Sequence, residues 1–423
     1  MKVLLVGNGG REHALAWKIA QCRRVKKMFC GPGNAGTADL AENLDIPAED
    51  VPGLVAFARR ERIDLVVVGP EDALCAGIVD AMESEGIRAF GPSKAAAKLE
   101  GDKAFAKQLM RQYAIPTAEA RIFNAYRDAR TYIATRDAGL VVKAAGLAKG
   151  KGVIVCDDPA EALLAIDRIM VQREFGAAGE TIVVEERLAG PEASILAFVD
   201  GRNIYIMESA QDHKPVGDGD TGPNTGGMGA YSPTPIITEE ILSQVERQVF
   251  VPIIDALHRE ETPYRGVLYA GLMLTHNGPK VLEFNCRFGD PETQPILFRL
   301  QTDLVEVMEA VLDGRLDKVT LRWDPRPAIC VVVAAGGYPG EYPKGQEITG
   351  LADAASDDVV VFHAGTRRIG GKVVTAGGRV LGVTARGKTL ADAQRLAYEA
   401  TAKIRFEGAY YRTDIGSKAL GTT

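Results

Sequence analysis

The first hundred residues constrain the fold most: four short apolar runs, each closed by a glycine-bearing turn. Lys2–Val6 ends in Gly7-Asn8-Gly9-Gly10, Met28–Cys30 in Gly31-Pro32-Gly33-Asn34, Asp64–Val68 in Gly69-Pro70-Glu71-Asp72 and Arg88–Phe90 in Gly91-Pro92-Ser93. Unbroken apolar runs suit strands buried on both faces. Helical segments lie between them, at Arg11–Arg23, where Leu15 and Ile19 share a face, and at Ala73–Ser84. The alternation predicts a parallel α/β sheet with ligand loops at the strand carboxyl ends.

Beyond Gly101 the pattern changes. A Lys-rich helix over Asp102–Tyr113 stops at Pro116, and strands at Leu140–Ala144, Val153–Cys156 and Thr181–Glu185 with a helix at Pro159–Arg173 predict a small α+β lobe. A larger α/β portion follows, with the long loop 212–235, a helix around Glu239–His258 and a hairpin from Gly266 to Asn285. After Trp323, the strand Ala328–Ala335, a hairpin Lys372–Ala385 turned by Gly377-Gly378 and a helix Thr389–Arg405 predict a compact β-rich domain.

Fifty Lys and Arg against 56 Asp and Glu leave a net charge of −6 over 423 residues, with the two signs interspersed. Such a surface gives no reason to expect nucleic acid or an anionic membrane as a partner. The opening apolar run is cut at Gly7, and no stretch approaches the roughly 18 apolar residues of a membrane span, so a cytoplasmic protein is expected. The 6 cysteines form no CxxC pair and the 5 histidines are dispersed, which argues against a structural zinc site and for cysteines buried as small apolar groups.

Several loops carry residues suited to chemistry. Gly7-Asn8-Gly9-Gly10 joins a strand to a helix, where amides and the helix dipole favour an anion. The dinucleotide fingerprint would need glycine where Glu12 stands, so a phosphate site without a nicotinamide cofactor is expected. Lys143 ends an apolar strand and precedes the flexible loop 145–152 with Lys149 and Lys151, an arrangement suited to a flap over a polyphosphate. A solvated hairpin would account for Lys149 and Lys151 but not for Lys143, since an unpaired ammonium in an apolar strand is costly. In Lys280–Asn285, Glu283 and Asn285 alternate with Leu282 and Phe284, which would place two hard oxygen ligands on one strand face, as Mg²⁺ prefers. The loop from Asp212 to Gly229 is long and glycine-rich, with polar groups from Asp212, His213 and Lys214; His213 is expected as a hydrogen-bonding loop residue.

Together these residues resemble the ATP-grasp ligases. GNGGREHALAWK at 7–18, GPGNAGT at 31–37, VGPE at 68–71, DTGPNTGGMGAYSP at 220–233 and EFNCRFGDPETQP at 283–295 resemble, more closely, the phosphoribosylamine–glycine ligase family (glycinamide ribonucleotide synthetases), over Lys2 to about Gly416. The resemblance implies an α/β and α+β multidomain fold: an N-terminal parallel-sheet domain for the phosphoribosyl substrate at 1–101, a large ATP-grasp lobe at 102–120 and 189–325, a lid at 121–188 and a β-rich C-terminal domain at 326–423. It implies an ATP-dependent carbon–nitrogen ligase of purine biosynthesis that uses Mg²⁺ or Mn²⁺ and joins glycine to 5-phosphoribosylamine through a glycyl phosphate.

The resemblance also distributes roles. Lys103, Lys143, Gly150, Lys151 and Gly152 would contact ATP, with Glu185, Glu186 and Leu188 at the adenine and Glu192 at the ribose. Glu283 and Asn285 would bind metal. Gly9, Gly10, Arg11, Glu12, Gly33 and Asn34 would hold the ribose phosphate. Asp212, Lys214, Arg287 and Asp290 would surround glycine, with Arg287, Asp290 and Lys143 catalytic. The flap departs from the family pattern at Ala145, where Asp is usual, and at Lys149, where Ala is usual; Asp102 stands in place of Ser. Small-molecule partners and a monomer are expected, with a weak homodimer as the alternative. An ATP-grasp carboxylase of a purine precursor, a nicotinamide oxidoreductase and a non-catalytic nucleotide sensor are the rival readings.

Overall fold

The computed structural model describes residues 1–148 and 151–421. The N-terminal sheet is parallel throughout and has five strands, in the order Glu42–Asn43, Lys27–Pro32, Lys2–Gly7, Leu65–Val68, Ala89–Phe90. Glu42–Asn43 was absent from the sequence expectation because two exposed polar residues carry no strand pattern. Val3, Leu5 and Val67 pack with Leu15 and Ile19 of the helix Gly10–Ile19, and with Leu196, Phe198 and Met308 from the next domain. Leu4, Val6 and Val66 pack on the other face with Leu54, Leu74 and Met82. The sheet is therefore covered on both sides, as parallel sheets require.

A second sheet is antiparallel, in the order Ala120–Phe123, Ile182–Glu186, Leu140–Ala144, Val153–Cys156. Leu140, Val142, Ile182 and Val184 face the helices Tyr126–Ile133 and Pro159–Ile166. Strand alternation then turns Lys143, Val183 and Glu185 to the opposite face, where Val183 meets Ala104 of the helix Lys103–Gln112. A third sheet, Ile204–Ile206, Glu192–Asp200, Arg265–Thr275 and Gly278–Asn285, is antiparallel and packs on the helices around Val245–Leu257.

The fourth sheet runs Gln211–Asp212, Gly229–Ser232, Ala328–Ala334, Arg379–Arg386, Val359–His363, under the helix Leu390–Thr401. Its first two strands come from the long loop, so this sheet crosses the boundary expected at 325/326. The loop also holds its own hairpin, Pro215–Gly217 with Thr221–Asn224. The expected hairpin turned at Gly377-Gly378 is replaced: Lys372–Thr375 pairs with Thr366–Ile369 around Gly370-Gly371, both with positive φ, as a tight two-residue turn needs. Arg379–Arg386 instead lies between Ala328–Ala334 and Val359–His363.

Gly7 and Gly69 end adjacent strands at the point where the parallel sheet reverses order, and a Cβ on either would run into the side chain of Glu12. For Gly69 the three nearest atoms all belong to Glu12. Gly69→Ala is therefore expected to destabilise by about 1–3 kcal/mol, the usual range for overpacking. Denaturant midpoints of Gly69→Ala, Glu12→Ala and the double variant check this: the double variant should be more stable than the sum of the two singles predicts.

Candidate active site

The three C-terminal sheets and the N-terminal loops bring charged side chains together around the strand Gly278–Asn285. This strand carries a bulge. Gly271 pairs with Glu283 and Leu272 with Val281, leaving Leu282 as the extra residue. Val281 and Phe284 lie in the core while Leu282 is only half-buried, which corrects the expected face shared by Leu282 and Phe284. The Leu282 carbonyl accepts a hydrogen bond from Lys143 Nζ at 3.0 Å. Lys143 Nζ also lies 3.0 Å from Glu185 Oε2, and Lys107 Nζ lies 3.1 Å from Glu185 Oε1. All three charged groups are buried. Burial pulls the Lys107 ammonium down to about 8 although Glu185 opposes it.

Glu283 stands next to this cluster. Among the described residues its carboxylate makes no contact-distance ion pair or hydrogen bond; burial works against its charge, yet Lys103, Lys143, Lys214 and Arg287 together hold it below the usual carboxylate range. Asn285 Oδ1 accepts from Arg287 Nη2 at 3.1 Å. An ionised carboxylate with free lone pairs beside an amide oxygen fits a hard divalent cation that takes its other ligands from water and phosphates. Among the described residues no three His, Cys, Asp or Glu side chains form a metal cage, so the protein would supply these two oxygens.

Lys214 Nζ bridges Glu192 Oε2 at 2.6 Å and Asp212 Oδ1 at 3.3 Å. Burial raises the Asp212 carboxyl to about 6 although Lys214 pulls it back. Arg287 and Asp290 do not pair with each other among the described contacts. Arg287 Nε binds Glu71 Oε2 at 3.0 Å and Nη2 lies 2.8 Å from Glu100 Oε1. Burial lifts Glu100 to about 7, whereas Arg287 and Arg11 overcome burial at Glu71 and bring it to about 2. Asp290 accepts from Arg11 N at 3.3 Å and Gln294 Nε2 at 3.0 Å, and Arg379 Nη2 lies 3.4 Å from it.

Asp290, Gly9, Gly33 and Asn34 line one cavity of about 290 Å³, completed from the C-terminal sheet region by Tyr338, Thr366 and Arg379. Gly10, Arg11 and Glu12 are not in its wall. Gly9 N donates to Glu12 Oε2 at 2.6 Å, so a carboxylate already occupies part of the helix start expected to hold phosphate. Arg11 is buried, with Nε on Glu12 Oε1 at 2.6 Å and Nη1 on the Phe288 carbonyl at 3.2 Å. Its guanidinium is thus engaged by protein partners, with which a substrate phosphate would have to share it. Asn34 is fully engaged: its amide donates to the Asn8, Gly9 and His363 carbonyls and its oxygen accepts from Gly36 and Thr37.

Lys103 N donates to the Ala145 carbonyl at 2.8 Å, and Asp102 caps its helix through Ala104 N and Phe105 N, the work a Ser would do there. Glu186 is exposed and binds Lys280 and Glu119 N; Leu188 is half-buried. Lys151 is exposed, Gly152 packs against Ala148, and Gly150 and Lys149 lie outside the described residues. His213 is fully buried with no ring-nitrogen partner among the described residues, which corrects the expected loop hydrogen bond. Sequence reasoning missed Lys107, Glu71, Glu100, Tyr338 and Arg379. Only Glu71, beside the Gly69-Pro70 turn, had a local signal.

A lysine-bearing antiparallel sheet set against a second sheet that carries a carboxylate and an amide oxygen defines an ATP-grasp enzyme. The phosphoribosylglycinamide synthetase family matches in three consecutive parts: its N domain over residues 1–100, its ATP-grasp (A) domain over 101–293 and its C domain over 328–418. The chain belongs to this family. It is 56% identical to the phosphoribosylamine–glycine ligase of Rhodopirellula baltica over 99% of this chain and 98% of that one. It is 54% identical to that of Allochromatium vinosum over 99% of each. The crystal structure of the Thermotoga maritima phosphoribosylamine–glycine ligase superposes with a TM-score of 0.86 at 35% identity, covering 98% of this chain and 100% of that one. The biotin carboxylase domain of Hydrogenobacter thermophilus 2-oxoglutarate carboxylase shares the fold, with a TM-score of 0.75 at 15% identity over 97% of this chain and 91% of that one.

Removing Arg287 leaves the buried Glu100 without its ion-pair partner and Glu71 with the more distant Arg11 at 3.9 Å, whereas neutralising Asp290 leaves hydrogen-bond capacity in place. Arg287→Met is expected to cost about 3–5 kcal/mol of stability, and Asp290→Asn about 1 kcal/mol. Urea unfolding of both variants separates these outcomes; equal losses would contradict the assignment of Arg287 to Glu71 and Glu100.

Proposed function

We propose that the chain joins glycine to 5-phosphoribosylamine at the expense of ATP, giving glycinamide ribonucleotide, ADP and phosphate, as in the purine pathway. Family membership carries ATP as co-substrate and dependence on a divalent cation. The observation that best supports a polyphosphate here is the convergence of Lys103, Lys143, Lys214 and Arg287 on Glu283, which none of them contacts directly. Cations ranged around a metal-binding carboxylate suit phosphoryl transfer, where positioning and charge neutralisation are the main terms.

In this reading the ATP γ-phosphoryl group passes to a glycine carboxylate oxygen as the bond to ADP breaks. The phosphoribosylamine nitrogen then attacks the acyl carbon, the amide bond forms, phosphate leaves and the nitrogen loses a proton. Lys103, Lys143 and the 145–152 loop, with Gly150, Lys151 and Gly152, neutralise and cover the phosphates. Glu185, Glu186 and Leu188 border the adenine and Glu192 the ribose. Glu283 and Asn285 would hold Mg²⁺ or Mn²⁺, which polarises phosphoryl oxygens when bound. Asp212, Lys214, Arg287 and Asp290 surround glycine, and the cavity walled by Gly9, Gly33, Asn34 and Arg379 receives the phosphoribosyl group.

We read residues 121–188 as a lid over the lobe formed by 102–120 and 189–325, between a substrate domain at 1–101 and a C-terminal domain at 326–423. Among the described residues no helix is long and apolar enough to cross a membrane. All six cysteines are free, which suits a reducing cytoplasm, and a monomer contains every residue invoked.

ADP release measured with each substrate omitted in turn tests the reaction. Release should require glycine, and the amide product should appear only with phosphoribosylamine; release with bicarbonate in place of glycine would favour a carboxylase instead. Glu283→Gln keeps the side-chain size but removes the charge, so kcat should fall about 100-fold or more at an unchanged melting temperature, the several kcal/mol that such an ion supplies. Near-normal turnover at ordinary Mg²⁺ would refute the metal assignment.

A further inference from the structure

Glu185 has two ammonium partners where one would neutralise it. Lys143 and Glu185 face the same way from paired strands, while Lys107 reaches Glu185 Oε1 from the helix Lys103–Gln112, one turn beyond Lys103. Lys107 is fixed independently of the lid. Its Nζ donates to Thr117 Oγ1 at 2.6 Å, and that hydroxyl donates to the Val281 carbonyl at 2.6 Å. Two buried ammonium groups therefore share one buried carboxylate, and Glu185 keeps a cation partner when one of them moves away.

We infer that Lys107 is a positioning residue for ATP: it is the standing partner of Glu185, so that Lys143 can turn toward the triphosphate without leaving a buried carboxylate unpaired. The inference rests on the reading that Lys143 meets ATP phosphates. Without Lys107, Glu185 and Lys143 form a closed, neutral pair. Moving Lys143 onto a phosphate would then expose Glu185 to the full cost of an uncompensated buried charge.

Binding of a non-hydrolysable ATP analogue with Mg²⁺, followed by calorimetry on the full chain, tests this. Lys107→Met should weaken analogue binding at least tenfold, and Lys107→Arg should keep it within about threefold of the parent, since a guanidinium preserves the pairing. A merely structural Lys107 predicts the reverse: a lower melting temperature with unchanged analogue affinity. Lys143→Met separates the two levels. Weak binding in Lys143→Met together with parent-like binding in Lys107→Met overturns the role of Lys107 alone. Parent-like binding in both overturns the placement of Lys143 and the inference with it. If Lys107→Met is too unstable to assay, loss of affinity in Lys107→Arg overturns the proposal and parent-like affinity supports it.

Discussion

One extra residue in the strand Gly278–Asn285 sets the geometry on which the site depends. A regular strand would put Val281 and Glu283 on one face, yet Val281 belongs in the core and Glu283 must stay ionised. The bulge at Leu282 resolves the conflict by resetting the alternation between them. It also exposes the Leu282 carbonyl, which Lys143 uses. A single irregularity therefore takes the Glu283 carboxylate off the core face and offers a carbonyl to a lysine from the opposite sheet. Bulges beside active sites commonly re-aim side chains in this way.

The parts of the fold that could be read from sequence were those where a local pattern matches a local structure. The four apolar runs with glycine turns became parallel strands, and Leu140–Ala144 and Val153–Cys156 kept their expected limits. The misses are long-range. Gly377-Gly378 resembles a hairpin turn as well as Gly370-Gly371 does, and only sheet pairing decides between them. The strands at Gln211–Asp212 and Gly229–Ser232 lie in a glycine-rich stretch without periodicity; they pair with each other, and the second pairs in turn with a strand about a hundred residues later. Arg379 follows the same logic: it is one of many arginines until folding brings it to the Asp290 carbonyl at 2.7 Å. Lys107 differs, since its distance from Lys103 was visible but its partner on another sheet was not.

Charge pairing at the site follows burial more than sequence proximity. Arg287 and Asp290 are three apart, but their charged partners come from distant segments: Glu71 and Glu100 for the first, Arg379 for the second. Separate partners leave both groups ionised. They also anchor the two ends of this short loop to different parts of the fold.

The N-terminal loop shows why a dinucleotide cofactor is disfavoured there on physical grounds. At the strand-order reversal, where such folds usually receive a pyrophosphate, the side chain of Glu12 fills the space left by Gly7 and Gly69 and bonds Gly9 N. This resident carboxylate takes the space a second anion would need and removes one amide that would bind it. The glycines at this turn thus make room for the protein's own side chain. The cavity that remains lies further out, toward the C-terminal sheet. There Asn34 and His13 join the two domains, with His363 N donating to His13 Nδ1 at 2.7 Å. That bond needs an unprotonated imidazole, and burial together with His363 keeps His13 neutral by pulling it down to about 3. The wall of the cavity is therefore rigid because the N-terminal loop hands its carbonyls to Asn34, and its backbone amides are only partly available to a ligand. Recognition in this cavity then has to rely on side chains from the far wall, where Arg379 is the only cation among the described lining residues.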